Sequence, residues 1–375
     1  MKRRMSGDTY PRFRAAAVQA APVFLRRDES IEKLECLVVQ AASKGANLVV
    51  FGESYIPAFP MWNLVLRPVD QHGLFRELHD NSIEIPSLQF QRLAEIAKES
   101  KVFLSVGITE KSSLSVGTLW NSNLLFNPDG KLINHRRKLV PTWAEKLTWA
   151  NGDAAGLRVA KTAIGRIGVL ICGENTNTLA RFALLAQGEQ VHVCTYPPLW
   201  PFRRGGPNSD YNLAESIRIR ASAHSFEGKV FSVVAACVAD EDAIRKIAEV
   251  DEESRKILES APRPVSLIVG PTGELLAEPL VGKEGMIFAD LDLSQSIMWK
   301  EVHDITGGYN RFDIFELKMN ASQNNPLLKE QIGSNTRSSD NIVALTEDLI
   351  ASPYSFSPPT SKEDRGRKRR EDKDL

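Results

Sequence analysis

From Phe13 to about residue 320, short apolar runs alternate with stretches whose apolar positions recur every three or four residues. FRAAAVQA reads as a first strand. ESIEKLECLVVQAASKG then sets Ile31, Leu34, Val38 and Ala41 on one helical face, with Gly45 as its stop. NLVVF (47–51) has the pattern of a buried strand and ends at Gly52-Glu53. A second helix, SLQFQRLAEIAKES, leads into the strand VFLSVGI. LWNSNLLFNPDGKLINHRRKL predicts two strands joined by the turn Asn127-Pro128-Asp129-Gly130. IGRIGVLIC and QVHVCTY flank the helix NTLARFALLAQGE, and DYNLAESIRIRASAHSFEGK is an amphipathic helix ahead of the strand KVFSVVAAC. VSLIVGPTGELLAEPL predicts a hairpin turning at Pro271-Thr272-Gly273-Glu274, and residues 241–260 read as a charged helical insertion.

Helices between single strands argue for layered α/β structure, while the hairpins argue against a purely parallel sheet. The expectation is two mixed sheets packed face to face with helices outside. One domain should span 13–320, after a flexible N-terminus at 1–12. Beyond Asn320 apolar content falls, and the final SKEDRGRKRREDKDL mixes charges that cannot bury enough surface to offset ordering entropy. The tail, 321–375, is therefore expected to be at least partly disordered.

Composition narrows the function classes. The 375 residues are 42% hydrophobic and 7% aromatic, and Lys plus Arg equals Asp plus Glu at 47 each. No global charge draws the chain to nucleic acid or to a membrane surface, and the basic RGRKRR run is interleaved with acids. The basic N-terminus is followed by an apolar stretch broken by Gln19 and Pro22, a poor signal-peptide core, and no segment reaches membrane-spanning length. A cytoplasmic protein without nucleic-acid or membrane partners is expected. The four cysteines, Cys36, Cys172, Cys194 and Cys237, are widely spaced and form no C-x-x-C pair, which suggests neither a disulfide framework nor a zinc site.

Two apolar strands end in groups suited to chemistry: LVVFGE in Glu53 and GVLICGE at Cys172. In layered α/β folds, loops at strand ends build active sites. Cys172 also precedes the helix pattern NTLARF, so its sulfur is expected near a helix N-terminus that favours a thiolate. A nucleophilic thiol needs a base, and the histidines are poor candidates: His192 alternates within a strand, His224 lies in a helix, and His72 and His79 sit in a polar region. Glu53 is a better partner, with Lys138 of HRRKLVPTWAEKLTW as a fixed cation.

FGESYIPAFPMW, HRRKLVPTWAE and LICGENTN, in that order, resemble the three signature blocks of the nitrilase superfamily, most of all the true nitrilases. The likeness runs from about Phe13 to Phe315. It implies a four-layer α-β-β-α sandwich and a Glu-Lys-Cys triad on Glu53, Lys138 and Cys172. It also places a further glutamate at Glu145, either orienting Lys138 or handling protons directly. The implied activity is hydrolysis of a nitrile to acid and ammonia through a covalent cysteine intermediate, with the Gly173 N–H and Lys138 steadying tetrahedral states. Water is the co-substrate, amide a by-product, and neither cofactor nor metal is required. A homo-oligomer built from dimers, spiral in the true nitrilases, is the implied assembly. Hydrolysis of amides or N-carbamoyl compounds, cyanide hydration or hydrolysis, and a non-catalytic filament scaffold are the alternatives. Tyr55, Trp62, Trp143, Tyr196 and Trp200 are candidates to line a substrate pocket, with TYPPLWPF (195–202) as the preferred wall. One departure stands out: many true nitrilases have Cys-Trp-Glu where this chain has Cys172-Gly173-Glu174.

Overall fold

The structure, a computed structural model, describes residues 10–200 and 211–324. Most of the expected N-terminal segment, residues 201–210 and the tail from 325 lie outside the described residues. Among the described residues thirteen strands form two sheets. The first holds β1 (Arg12–Gln19), β2 (Leu48–Val50), β3 (Ile83–Glu84), β4 (Phe103–Lys111), β5 (Leu119–Phe126), β6 (Leu132–Arg137) and β13 (Gly285–Asp292), in the order β13-β1-β2-β4-β5-β6 with β3 beside β4. The second holds β7 (Ala160–Thr162), β8 (Gly165–Ile171), β9 (Val191–Tyr196), β10 (Phe231–Ala236), β11 (Val265–Val269) and β12 (Leu280–Val281), in the order β12-β11-β10-β9-β8-β7. Both sheets are mixed.

Strand alternation builds the layers. Along β1, Phe13, Ala15 and Ala17 turn inward to a core shared with Val169, Val193, Val233 and Ile268 of the second sheet. Their neighbours Ala16 and Val18 turn outward, onto Ile31, Leu34, Val38 and Ala41 of helix α1 (Arg27–Ser43). Helix α2 follows at His72–Asp80, and α3 (Leu88–Ser100) adds Leu93, Ile96 and Ala97 to that same outer layer. On the far side, α4 (Thr178–Ala186) packs Ala183 and Leu184 on Leu170, and α5 (Leu213–Gly228) packs Ile217 and Ala221 near Val234 and Leu267. The result is helices, sheet, sheet, helices. Residues 241–260 form two short helices, α6 (Glu241–Ala248) and α7 (Glu253–Ser260), the first burying Ala243, Ile244 and Ile247. No helix among the described residues is long and apolar enough to cross a membrane.

The strand β13 was not legible as a strand, because its side chains are mostly half-exposed and its apolar alternation is weak. It pairs antiparallel with β1 along the full length of both, from Arg12↔Asp292 to Gln19↔Gly285. The polar region around His72 and His79 also forms a helix, α2, whose buried side is fixed by Leu74 and Leu78.

Strand direction positions the site. β2 and β4 are parallel, β4 and β5 antiparallel, and β5 and β6 antiparallel, so β2 and β6 run the same way. Glu53, beyond β2, and Lys138, beyond β6, therefore leave the sheet at one end. In the second sheet β8 and β9 are parallel, which puts Cys172 and Tyr196 together at their carboxyl ends. The Glu53 N–H donates to Tyr196 O at 3.1 Å, tying the two sheets at this point. Gly52 permits that approach: a Cβ there would lie 2.6 Å from the main-chain nitrogen of Cys237.

Candidate active site

Glu53, Lys138, Cys172 and Glu145 are all buried, and their tips meet. A carboxylate oxygen from each of Glu53 and Glu145 and the Cys172 sulfur lie within 4.8 Å of one another. Between the carboxylates stands the Lys138 ammonium, which donates to Glu53 Oε1 at 2.7 Å and to Glu145 Oε2 at 2.6 Å. Asn121 joins from β5: its side chain donates to Glu53 Oε1 at 2.7 Å, and its carbonyl accepts the Lys138 N–H at 2.8 Å. Glu145 sits in a 3-10 turn, Trp143–Leu147, where the Thr142 N–H donates to Glu145 Oε2 at 2.7 Å. Three residues at or beside these groups take left-handed backbone angles: Ser54 (φ 47°), Trp143 (φ 48°) and Cys172 (φ 49°). Non-glycine residues in that region persist only where the surroundings impose them, and such strain gathers at functional sites.

The electrostatics follow from burial. Desolvation drives Glu53 up to about 7, with Glu145 adding to the rise and Lys138 opposing it. One of its oxygens, Oε2, has no hydrogen-bond partner among the described residues. Burial works against the Lys138 charge, yet Glu145, Glu53 and Cys172 together hold its pKa well above the ordinary lysine value. The Cys172 thiol is also raised, by burial and then by the Glu53 carboxylate, with Lys138 pulling the other way. This corrects the expectation of a helix-stabilised thiolate. Cys172 opens a separate 3-10 turn, Cys172–Thr176, and α4 begins only at Thr178 with its first N–H groups capped by Asn177. The thiol rests neutral, so its proton must go to a neighbouring base, and Glu53 stands beside it.

A second ion pair binds the blocks to one another. Glu174 accepts from Arg136 Nη2 at 2.5 Å, from Leu139 N at 2.6 Å and from Ile171 N at 2.9 Å, joining the lysine segment to the cysteine segment on either side of the reacting groups. Both side chains are buried. Glu174→Ala is expected to cost about 3–5 kcal/mol, because it strands the Arg136 charge in the interior. Urea unfolding reads the effect; an unchanged midpoint would contradict the assignment.

The aromatic candidates divide. Trp62, Tyr196 and Trp200 belong to the buried apolar cluster that includes Cys172, and Trp149 and Phe59 join it unforeseen, with ring centroids 5.4 Å apart. The Tyr196 hydroxyl and the Trp62 and Trp149 indole nitrogens have no partner among the described residues. Tyr55 lies in the other cluster, under α1, where its ring is 5.0 Å from Phe51 and its hydroxyl donates to Ala21 O. Trp143 is 67% exposed and stands outside the buried cluster. Its left-handed backbone accompanies an outward ring while Glu145, two residues on, turns in. Of the preferred wall, Pro201 and Phe202 lie outside the described residues. At Gly173 a Cβ would come 2.9 Å from Thr142 Oγ1, so glycine lets the cysteine turn sit against the turn that carries Glu145.

Among the described residues two buried sets of donors are close enough to surround a metal ion, Glu53-Glu145-Cys172 and Glu189-His192-His224. In the first, the Lys138 ammonium already supplies a cation to both carboxylates.

Comparison with known proteins identifies the family. The carbon-nitrogen hydrolase family pattern matches residues 14–301. A nitrilase of Paraburkholderia phymatum is 34% identical over 307 residues, covering 82% of this chain and 86% of its own. A nitrilase of a Bacillus species is 34% identical over 322 residues, covering 85% and 91% respectively. The crystal structure of a carbon-nitrogen hydrolase from Helicobacter pylori superimposes with a TM-score of 0.61 at 20% identity, covering 78% of this chain and 93% of that one, and it shares the fold. The chain belongs to the carbon-nitrogen hydrolase family, the nitrilase superfamily.

Proposed function

We propose that the protein is a nitrilase that converts an organic nitrile to its carboxylic acid and ammonia, with Cys172 as nucleophile. The observation that carries this reading is the meeting of the buried Cys172 thiol with the Glu53 and Glu145 carboxylates, within 4.8 Å of one another, both carboxylates bound to the Lys138 ammonium. The nitrilase relatives add support for the substrate class.

Glu53 takes the thiol proton as sulfur attacks the nitrile carbon, and the proton passes to the nitrile nitrogen, leaving a thioimidate. A water that loses its proton to Glu53 adds to the same carbon. The tetrahedral adduct expels ammonia, leaving a thioester that a second water hydrolyses to the acid, restoring the thiol. Collapse of the adduct with loss of sulfur instead releases an amide. Lys138, with two of its three N–H bonds given to carboxylates, and the Gly173 N–H steady the developing negative charge. Glu145 shares the Lys138 ammonium with Glu53 and fixes its place. Trp62, Tyr196, Trp200 and Trp149 supply an apolar wall for the nitrile substituent. A homo-oligomer is the assembly, in keeping with large apolar side chains exposed at Met298, Phe312, Ile314 and Phe315.

The test is a panel of nitriles and their matching amides, with ammonia, acid and amide quantified separately across pH. Nitriles should yield acid and ammonia. The rate constant kcat/KM should rise as pH increases through about 7, since Glu53 must lose its proton before it can accept that of the thiol. Ammonia from amides alone would defeat the proposal.

A further inference from the structure

A second buried polar cluster, unused in the chemistry above, reaches Cys172 through its main chain. Asn175, in the turn after β8, directs its side-chain Nδ2 at Cys172 O (3.0 Å) and Leu170 O (3.4 Å). Its Oδ1 faces His192 Nε2 at 2.8 Å and accepts from the Cys194 thiol at 3.3 Å. The other ring nitrogen of His192, Nδ1, is 2.7 Å from Glu189 Oε1, and Glu189 Oε2 is 2.8 Å from His224 Nε2. All of these side chains are buried. Space for the Glu189 carboxylate comes from Gly168, where a Cβ would lie 1.9 Å from Glu189 Oε1.

The donor count fixes the chemistry. Both nitrogens of His192 face oxygen acceptors, so both must carry hydrogen, and the ring is an imidazolium. A neutral His192 with its proton on Nδ1 would set the bare Nε2 against Asn175 Oδ1. The amide would then gain by turning over, presenting its oxygen to the Cys172 and Leu170 carbonyls and losing both bonds. The protonated ring thus locks the amide in the one orientation that holds the Cys172 carbonyl. In a trans peptide the C=O of residue 172 and the N–H of residue 173 point in opposite directions within one plane. Holding the carbonyl aims the N–H, and it also supports the left-handed angle at Cys172.

We propose that Glu189, His192 and Asn175 form a positioning relay that fixes the Cys172–Gly173 peptide plane, and through it the aim of the thiol and of the Gly173 N–H. The proposal rests on the reading of Cys172 as the nucleophile. Charges in the cluster fit it: burial opposes a proton on His192, but Cys194 and Glu189 bring its pKa up to about 10. Glu189 is held near 2, where His192 and His224 overcome the cost of burial. His224, pushed down to about 4 by burial and then by the His192 charge, stays neutral.

The experiment follows alkylation of Cys172 by iodoacetamide in the full chain, in a Cys36→Ser background that removes the exposed thiol, with intact-mass and peptide-mass readout. His192→Leu should slow alkylation and lower kcat by roughly 10- to 100-fold, with KM little changed and circular dichroism retained, as expected for a misaimed reactive group. His192→Gln keeps an N–H for Asn175 Oδ1 and should recover most of both. Equal losses in the two variants, or a folded His192→Leu at parental rates, would overturn the relay.

Should His192→Leu not fold, Asn175→Asp decides, because it keeps an oxygen for His192 Nε2 and removes the Nδ2 donor that holds the Cys172 carbonyl. The groups facing His192 are Glu189 ahead of β9, His224 on α5, Cys194 on its own strand and Asn175, with Arg181 of α4 acting on His224. With the Nδ2 donor gone the peptide plane is no longer held, so alkylation and kcat should fall as in His192→Leu, with circular dichroism retained. A folded Asn175→Asp that alkylates and turns over at parental rates would overturn the proposal. A parent whose Cys172 resists iodoacetamide altogether would instead overturn the nucleophile reading beneath it.

Discussion

Cys172→Ala is expected to abolish nitrile turnover, by on the order of 10⁶-fold, while the folded protein survives. Each covalent step runs through that sulfur: the thioimidate forms on it and the thioester leaves from it. Lys138 cannot substitute, since it is a protonated ammonium, and Glu53 is needed as the base that takes the proton of the nucleophile. The fold should tolerate the change because the bonds that hold the turn come from other groups. The turn is held instead by Asn175 on the Cys172 carbonyl and by Glu174 on Ile171 N. Cys172→Ser is expected to be nearly as inactive, because Glu53 at about 7 cannot deprotonate an alcohol as it does a thiol. Intact mass after incubation with a nitrile checks both variants, since only the parent should gain a covalent adduct. Turnover by a clean Cys172→Ala preparation would remove this residue from the mechanism.

Much of this site was legible because its residues stand where apolar strands stop. LVVFGE and GVLICGE announce Glu53 and Cys172 by the break itself, and strand direction then brings the breaks to one end. Lys138 was harder, as it ends the basic run HRRK, which resembles a solvated face. Alternation carried through that run would have helped. Asn134, Arg136 and Lys138 share one side of the strand and are buried, while His135 and Arg137 turn to the other side and meet Glu110. The supporting shell was not legible. Asn121, Asn175 and Glu189 are ordinary polar residues in sequence, and their roles arise from pairings 68, 3 and 3 residues away, with Glu53, Cys172 and His192. The sulfur's charge state is not legible for a related reason: proximity to a helix in sequence says nothing about whether a 3-10 turn intervenes.

Lys138→Met should cost on the order of 10³-fold in kcat/KM at neutral pH, and the loss should shrink as pH rises. The ammonium lowers the pKa of Glu53 against the larger effect of burial. With it gone, Glu53 rises above 7 and is protonated at neutral pH, with no free oxygen to accept the thiol proton. The carboxylate returns only in more alkaline solution, so the pH limb moves upward. Glu145→Gln should move it the other way, because the Glu145 charge raises the Glu53 pKa. The two variants bracket the parent, and they also decide what Glu145 does. If it acts by sharing and orienting Lys138, Glu145→Gln keeps substantial turnover with its limb shifted down. If it transfers protons itself, turnover collapses at every pH. A limb that stays at the parental position in Lys138→Met would mean that the ammonium does not set the base, and the electrostatic account of this site would fail there.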